Sequence, residues 1–138
     1  MHLPMKAVNL KSGHMVALAA IVALCGCASQ SASTHVKESE GGGSYVGWVR
    51  FVGEFVLYDD RSAFADSRRE HCVSGALPLD KQREAAKKFN GKRVRVKAKP
   101  VPWSLPDPLA VSLNHEGSPI TNWCGGKYIL FATDMTPE

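Results

Sequence analysis

The folding pattern of this chain begins with residues 45–58, YVGWVRFVGEFVLY. Aromatic and β-branched residues dominate this stretch and roughly alternate with polar or small ones, which is typical of a β-strand with one buried face. The stretch is long for one flat strand, and Gly53 provides a point at which a strand can bulge or bend. We therefore predict a long bent strand that counts as two, with Trp48 in the core.

Four further segments have regular patterns. Residues 72–77 predict a short apolar strand, and residues 78–89 predict a helix that ends at Gly91. The buried stripe of this helix has helical spacing and consists of Leu79, Gln82, Ala86 and Phe89. Residues 92–99 return to strand alternation, with small apolar residues on one face and four cations on the other: Arg93, Arg95, Lys97 and Lys99. Residues 127–135 predict a final strand.

A proline-rich connection separates the last two of these strands. Residues 100–126 contain five prolines, and a structureless loop of that length is uncommon in a compact domain. We place a short strand at residues 110–113 within it. Residues 62–71 are polar and show no clear pattern.

The order of these elements resembles the OB-fold, a small five-stranded Greek-key barrel. In both, a helix lies between the third and fourth strands, and the resemblance covers residues 45–136. It rests on element order, without a sequence signature. The predicted fold class is therefore mainly β, a five-stranded OB-like barrel, and the alternative is an α+β open sheet with one covering helix.

The amino-terminal part has the pattern of an export signal. Lys6 and Lys11 precede the apolar run MVALAAIVAL at residues 15–24, which spans about 15 Å as a helix and is too short to cross a bilayer. A cationic segment, an apolar run of this length and a small-residue exit are typical of a secretory signal peptide.

The end of this run, Leu24-Cys25-Gly26-Cys27, resembles the lipobox of bacterial lipoproteins. The resemblance implies that residues 1–26 are removed and that the Cys27 thiol receives a diacylglycerol. Ala28 stands where an aspartate retains some lipoproteins at the inner membrane. For a Gram-negative host, this implies anchoring in the outer membrane, facing the periplasm. The alternatives are ordinary cleavage after a small residue, or a buried cysteine near a core helix.

Residues 27–44 are predicted to be a flexible tether. Residues 28–44 are rich in Ser and Gly, and Val36 is their only large apolar residue. Such a segment cannot bury enough surface to offset the entropy of ordering it, and as a coil it spans about 20–25 Å. We therefore expect the folded domain to begin near Tyr45.

Cys72 and Cys124 are the two cysteines of the predicted domain. We expect a disulfide between them, because an exported chain folds in an oxidising compartment. The alternative is a catalytic Cys–His pair that uses His71 or His115. Adjacent side chains on a strand point to opposite faces, which argues against a pair of His71 with Cys72. The histidines also lack metal-ligand spacing, so no metal site is predicted.

Positive charge is concentrated in residues 81–99, which hold nine basic groups and one acidic group. Such a stripe can attract phosphates or lipid head groups, or it can be a solvated face. OB-folds often bind ligands by stacking them on aromatic side chains beside basic ones. The candidate ligand-binding residues are therefore Arg93, Arg95, Lys97, Trp103 and Trp123.

No catalytic or phosphate-binding motif is found in the sequence, and we predict neither a cofactor nor an enzymatic activity. Asp59 and Asp60 could form a carboxylate cluster with Glu54, but the two adjacent aspartates at a strand end are interpreted as a solvated turn. We expect an envelope-anchored lipoprotein with a small non-catalytic binding or assembly module. Its expected partner is an envelope protein, a glycan or a lipid, and nucleic acid is not expected there. The alternative is a small periplasmic hydrolase or redox enzyme whose site forms only in the folded chain.

Overall fold

The computed structural model describes residues 36–39 and 43–138. The predicted signal peptide at residues 1–26, the lipid attachment at Cys27 and most of the predicted tether lie outside the described residues. In chain order the elements are β1 (Ser44–Val52), β2 (Glu54–Tyr58), α1 (Arg61–Asp66), a 3-10 helix (Arg69–His71), β3 (Cys72–Ala76), α2 (Leu79–Phe89), β4 (Arg93–Pro102), β5 (Leu113–His115), β6 (Ser118–Ile120) and β7 (Tyr128–Pro137).

Five strands form a closed barrel in the order β1-β2-β3-β7-β4, and pairing of β4 with β1 closes it. β3 and β7 are parallel, whereas the other neighbouring pairs are antiparallel. α2 lies between β3 and β4 in the chain. The predicted OB-like barrel is confirmed. The alternative of an open sheet is wrong, because β1 pairs with β4 from Ser44 to Trp48.

The first strand, β1, is long enough to pair with two neighbouring strands. The first half of β1 pairs with β4 and the second half with β2, so that Trp48 lies opposite both Arg93 and Tyr58. Gly53 then turns the chain with a φ of +95°, a left-handed conformation that strongly favours glycine. The prediction that residues 45–58 form two strands around Gly53 is confirmed.

The predicted helix packs at the end of the barrel where β1 meets β2. The Gln82 side chain accepts a hydrogen bond from the Leu77 N–H at 3.0 Å and donates one to the Gly53 carbonyl at 2.9 Å. Ala85 is buried with Gln82, whereas Ala86 is only half-buried, so the predicted stripe is displaced by one residue there. The helix itself, α2, is confirmed.

The fourth barrel strand is longer than predicted and continues through Pro102. Pairing of β4 with β1 stops at Lys97, whereas its pairing with β7 continues to the end of the strand. The Ala98 N–H still donates to the Gly43 carbonyl at 2.9 Å. Beyond Ala98, β4 is an edge strand on one side, and edge strands tolerate proline because the missing N–H leaves no partner unpaired. The prediction of a loop from residue 100 is wrong for this reason.

One further local prediction is corrected by the structure, and one segment without a prediction is partly helical. Residues 110–113 do not form a strand of their own, and the long connection instead contains a hairpin of β5 and β6. The unassigned residues 62–71 contain α1, which begins where the Asp60 carboxylate accepts a hydrogen bond from the Ala63 N–H at 2.7 Å. Asp60 is therefore a helix cap, a role for which aspartate is well suited.

The packed domain begins earlier than predicted. Val36 is only 2% exposed and belongs to the same core cluster as Tyr45, Ala98 and Leu130. The Ser39 N–H donates to the carbonyl of Ser44 at 2.7 Å, which ties residues 36–39 to the start of β1. The one large apolar residue of the predicted tether is thus a core residue, and the expected start near Tyr45 is wrong.

Candidate functional site

The predicted basic row lies on the outer face of β4. The apolar residues of this strand are buried inside the barrel, so the cations between them point outward: Arg93, Arg95, Lys97 and Lys99. Arg95 forms a two-bond ion pair with the Glu138 carboxylate, with both N···O distances 3.1 Å. Asp134 lies opposite Lys97 on β7. Successive cations repeat every second residue, about 7 Å apart along the strand.

The candidate tryptophans are placed apart from one another. Trp103 is partly buried in a cluster with Ile120 and Ile129, whereas Trp123 packs in a second cluster with the two domain cysteines. Trp48, which was predicted to lie in the core, instead lies on the outer face opposite Arg93. Its ring contacts α1, with 6.3 Å between the centroids of Trp48 and Phe64.

The outer face of β2 and β3 is covered by the chain itself. α1 packs against it through Ala63 and Phe64, which join Val56 and Tyr58 in one hydrophobic cluster. Residues 118–126 cover a further part, where the Cys124 N–H donates to the Ser74 hydroxyl oxygen at 3.0 Å. OB-folds commonly bind their ligands on this face. In the part of the chain that the structure describes, that face is occupied by α1 and by residues 118–126.

A buried carboxylate holds this covering segment in place. Glu54 is 4% exposed, and its side chain accepts hydrogen bonds from the Thr121 N–H at 3.0 Å, the Trp123 N–H at 3.2 Å and the Thr121 hydroxyl. Glu54, which was considered as a member of a carboxylate cluster, is therefore a buried hydrogen-bond acceptor with a structural role. The residue alternates to the outer face of β2, and the segment that buries it is 67 residues away in the chain.

Replacing this carboxylate by an amide, Glu54→Gln, is expected to lower the free energy of unfolding by about 1–3 kcal/mol. The amide nitrogen would face a backbone N–H donor and leave it unpaired in a buried site. Urea denaturation measures the loss, and amide exchange at Thr121 and Trp123 should accelerate. Glu84→Gln, at an exposed position on α2, is the matched control. Equal stability of the two variants would contradict the assigned role.

Three arginines stack on aromatic rings around the covered face: Arg50 on Phe64, Arg61 on Trp48 and Arg69 on Trp123. The Arg50 guanidinium lies 4.4 Å from the ring centroid of Phe64, and it donates to the Phe64 carbonyl at 2.9 Å. Arg69 lies 4.7 Å from the ring centroid of Trp123 and donates to its carbonyl at 2.7 Å. Such cation–π contacts contribute about 0.5–1 kcal/mol at exposed sites. They fasten α1 and residues 118–126 to the barrel rather than presenting open stacking platforms.

Cys72 and Cys124 form the predicted disulfide, with their Cα atoms 5.8 Å apart. The bond joins the beginning of β3 to the segment before β7. Cys72 is 1% exposed and Cys124 is 8% exposed. A redox-active disulfide must be reached by an attacking thiolate, so this burial argues for a structural bond.

One histidine lies within reach of a carboxylate. His71 Nδ1 is 3.0 Å from an Asp59 carboxylate oxygen, a distance that fits either an acid–base pair or a structural contact. The neighbouring cysteine is held in the disulfide. The other candidate, His115, hydrogen-bonds the Ala132 carbonyl at 2.8 Å and stacks on Phe131. Neither histidine lies against a free thiol of the described chain.

The structure also reveals a cavity of about 580 Å³ that the sequence did not indicate. We call it the mouth cavity, and it is lined by Val36, Lys37, Glu38, Tyr45, Pro100, Pro102 and Tyr128. It lies where β4 and β7 extend past the start of β1. Burial, with the nearby Glu38 carboxylate, raises the pKa of the Tyr45 hydroxyl to about 12. The one sequence signal for this cavity was Val36, an isolated apolar residue in a polar segment.

Residues 36–39 and 43–138 contain neither a membrane-spanning helix nor a group of metal ligands. No helix there is both long and apolar enough to span a bilayer. No group of three or more His, Cys, Asp or Glu side chains is arranged there to hold a metal ion. Comparison with protein-family models, with curated proteins and with solved structures gives no match to this chain.

Proposed function

We propose that this chain is a lipoprotein anchored in the bacterial envelope through Cys27, and that its OB-like barrel is a non-catalytic binding module. The partner is an anionic component of the envelope, contacted through the outer face of β4. The observation that carries this proposal is the outward row of Arg93, Arg95, Lys97 and Lys99 on a barrel whose usual binding face is covered.

The electrostatics of the row support an anionic partner. Lys97 and Lys99 are exposed and form no ion pair with a carboxylate of the described chain, whereas Arg95 is held by Glu138 near the chain end. Cations presented at regular spacing attract phosphate or carboxylate groups over about one Debye length, 8–10 Å at physiological salt. The buried disulfide and the absence of a catalytic motif favour binding over the alternative of a hydrolase or redox enzyme.

The test is affinity capture of the intact protein from envelopes. The β4 variant replaces Arg93, Arg95, Lys97 and Lys99 by Gln. A matched control replaces four other exposed cations by Gln: Arg83, Lys87, Lys88 and Lys92.

We expect the wild type and the control to capture the same partner, with capture weakened by salt, and the β4 variant to lose it. Equal capture by both variants would show that the row is only a solvated face. Mass spectrometry of the same preparation should find a fatty-acylated Cys27 as the first residue. Retention of residues 1–26 would refute the anchoring.

A further inference from the structure

The position of Val36 limits how far the barrel can lie from the anchor. Cys27 is nine residues before Val36 in the sequence, and Val36 is buried in the core beside the mouth cavity. A chain of nine residues spans at most about 30 Å when fully extended and about 15–18 Å on average as a coil. A lipid on Cys27 would therefore hold the mouth end of the barrel near the bilayer surface.

The surface around the mouth cavity is rich in lysine. Lys37 lies on the cavity wall, and Lys127 immediately precedes β7, next to the cavity-lining Tyr128. Lys99 lies on the outer face of the β4–β7 ribbon that forms one wall of the cavity, because its neighbour Pro100 points to the cavity side. All three side chains are exposed, and none forms an ion pair within residues 36–39 and 43–138. The carboxylate nearest to them on the cavity wall is Glu38, which accepts a hydrogen bond from the Gly43 N–H. Positive charge thus predominates on this side.

Two aromatic side chains lie near the end of the same ribbon, Tyr128 on the cavity wall and Trp103 in the cluster on its outer face with Val101 and Ile129. Trp103 is half-buried, and its backbone N–H donates to the Lys127 carbonyl at 2.9 Å. Tyr128 is half-buried and lies opposite Pro102 at the end of the β4–β7 ribbon. Trp and Tyr are favoured at the level of lipid head groups, and lysine stems can lie along apolar surface while their ammonium groups reach phosphates.

We propose that this rim, formed by Lys37, Lys99, Trp103, Lys127 and Tyr128, docks the barrel mouth-down on anionic phospholipids of the membrane that holds the anchor. The proposal rests on the acylation of Cys27 proposed above. The lysines contact lipid phosphates, the two aromatic rings lie at the head-group level, and the mouth cavity opens toward the acyl region. α2 contacts Gly53 at the other end of β1 and therefore points away from the bilayer.

Amine-reactive footprinting of the acylated protein tests this orientation. The full-length protein is reconstituted in vesicles of phosphatidylcholine alone or of phosphatidylcholine with phosphatidylglycerol, and mass spectrometry follows the labelling of each lysine. In the anionic vesicles, Lys37, Lys99 and Lys127 should react about threefold or more slowly than in phosphatidylcholine alone, because only the anionic surface has the net negative charge that attracts lysine. Lys87 and Lys88 of α2 should react equally in both.

A pair of variants sharpens the test. In the variant Lys37→Gln/Lys127→Gln, Lys99 should be labelled as fast in anionic vesicles as in phosphatidylcholine. In the control variant Lys87→Gln/Lys88→Gln, Lys99 should still be labelled more slowly in anionic vesicles. If Lys37, Lys99 and Lys127 are each labelled equally fast in both vesicle types, with Cys27 acylated, the docking alone is overturned. A preparation without fatty acid on Cys27 would refute the proposed anchoring as well. The two failures are therefore distinguishable in one sample.

Discussion

Replacing both domain cysteines, Cys72→Ala/Cys124→Ala, is expected to lower the free energy of unfolding by about 4 kcal/mol. The bond closes a loop of 52 residues between the two positions. In the chain-entropy description, opening that loop returns conformational freedom to the unfolded chain. Such a loss is a large part of the stability of a domain with one modest core. Urea denaturation of the two proteins measures it.

Reduction of the wild type provides the control for this experiment. Wild-type protein unfolded in the presence of a reductant should reach the denaturation midpoint of the double variant, because both then lack the same loop constraint. The double variant itself should be insensitive to reductant. Identical midpoints for the oxidised wild type and the double variant would show that the bond does not stabilise the fold.

Gly47→Ala is expected to destabilise the barrel by about 3 kcal/mol or more, the upper end of the range for overpacked sites. A Cβ added to Gly47 would lie 2.2 Å from the Tyr58 carbonyl oxygen and 3.0 Å from the Leu57 side chain. The first of these atoms belongs to the backbone of β2, which cannot move without loosening its pairing with β1. Thermal or urea denaturation measures the effect.

Gly53→Ala separates this steric effect from backbone strain. A Cβ at Gly53 would meet no atom within 4 Å, although its φ of +95° is unfavourable for alanine. We expect a loss of about 1–2 kcal/mol from strain alone. Greater stability of Gly47→Ala than of Gly53→Ala would contradict the close approach of β1 and β2.

Much of the barrel could be predicted from the sequence because its signals are local. Alternation in residues 92–99 placed the cations on the outer face of β4, and the apolar spacing of residues 78–89 placed α2. The extension of β4 through Pro102 could not be predicted locally. It depends on where β1 stops pairing, and this is a property of the assembled sheet.

The candidate site was less predictable, because its decisive contacts join distant residues. In the sequence Glu54 is an isolated carboxylate at the start of β2, and only the position of Thr121 makes it a buried acceptor. Trp48 alternates with Val49 on a strand whose two faces are both partly covered, so alternation alone did not tell which face is inside. The burial of Val36 likewise needs the open end of a barrel to receive it.

The position of β7 determines when folding can be completed. This last strand lies between β3 and β4 and is hydrogen-bonded to both. Until residues 128–137 are synthesised, β3 and β4 have no partner on their facing edges, and the barrel cannot close. The barrel therefore stays open until residues 128–137 are available, in whatever order the other strands pair.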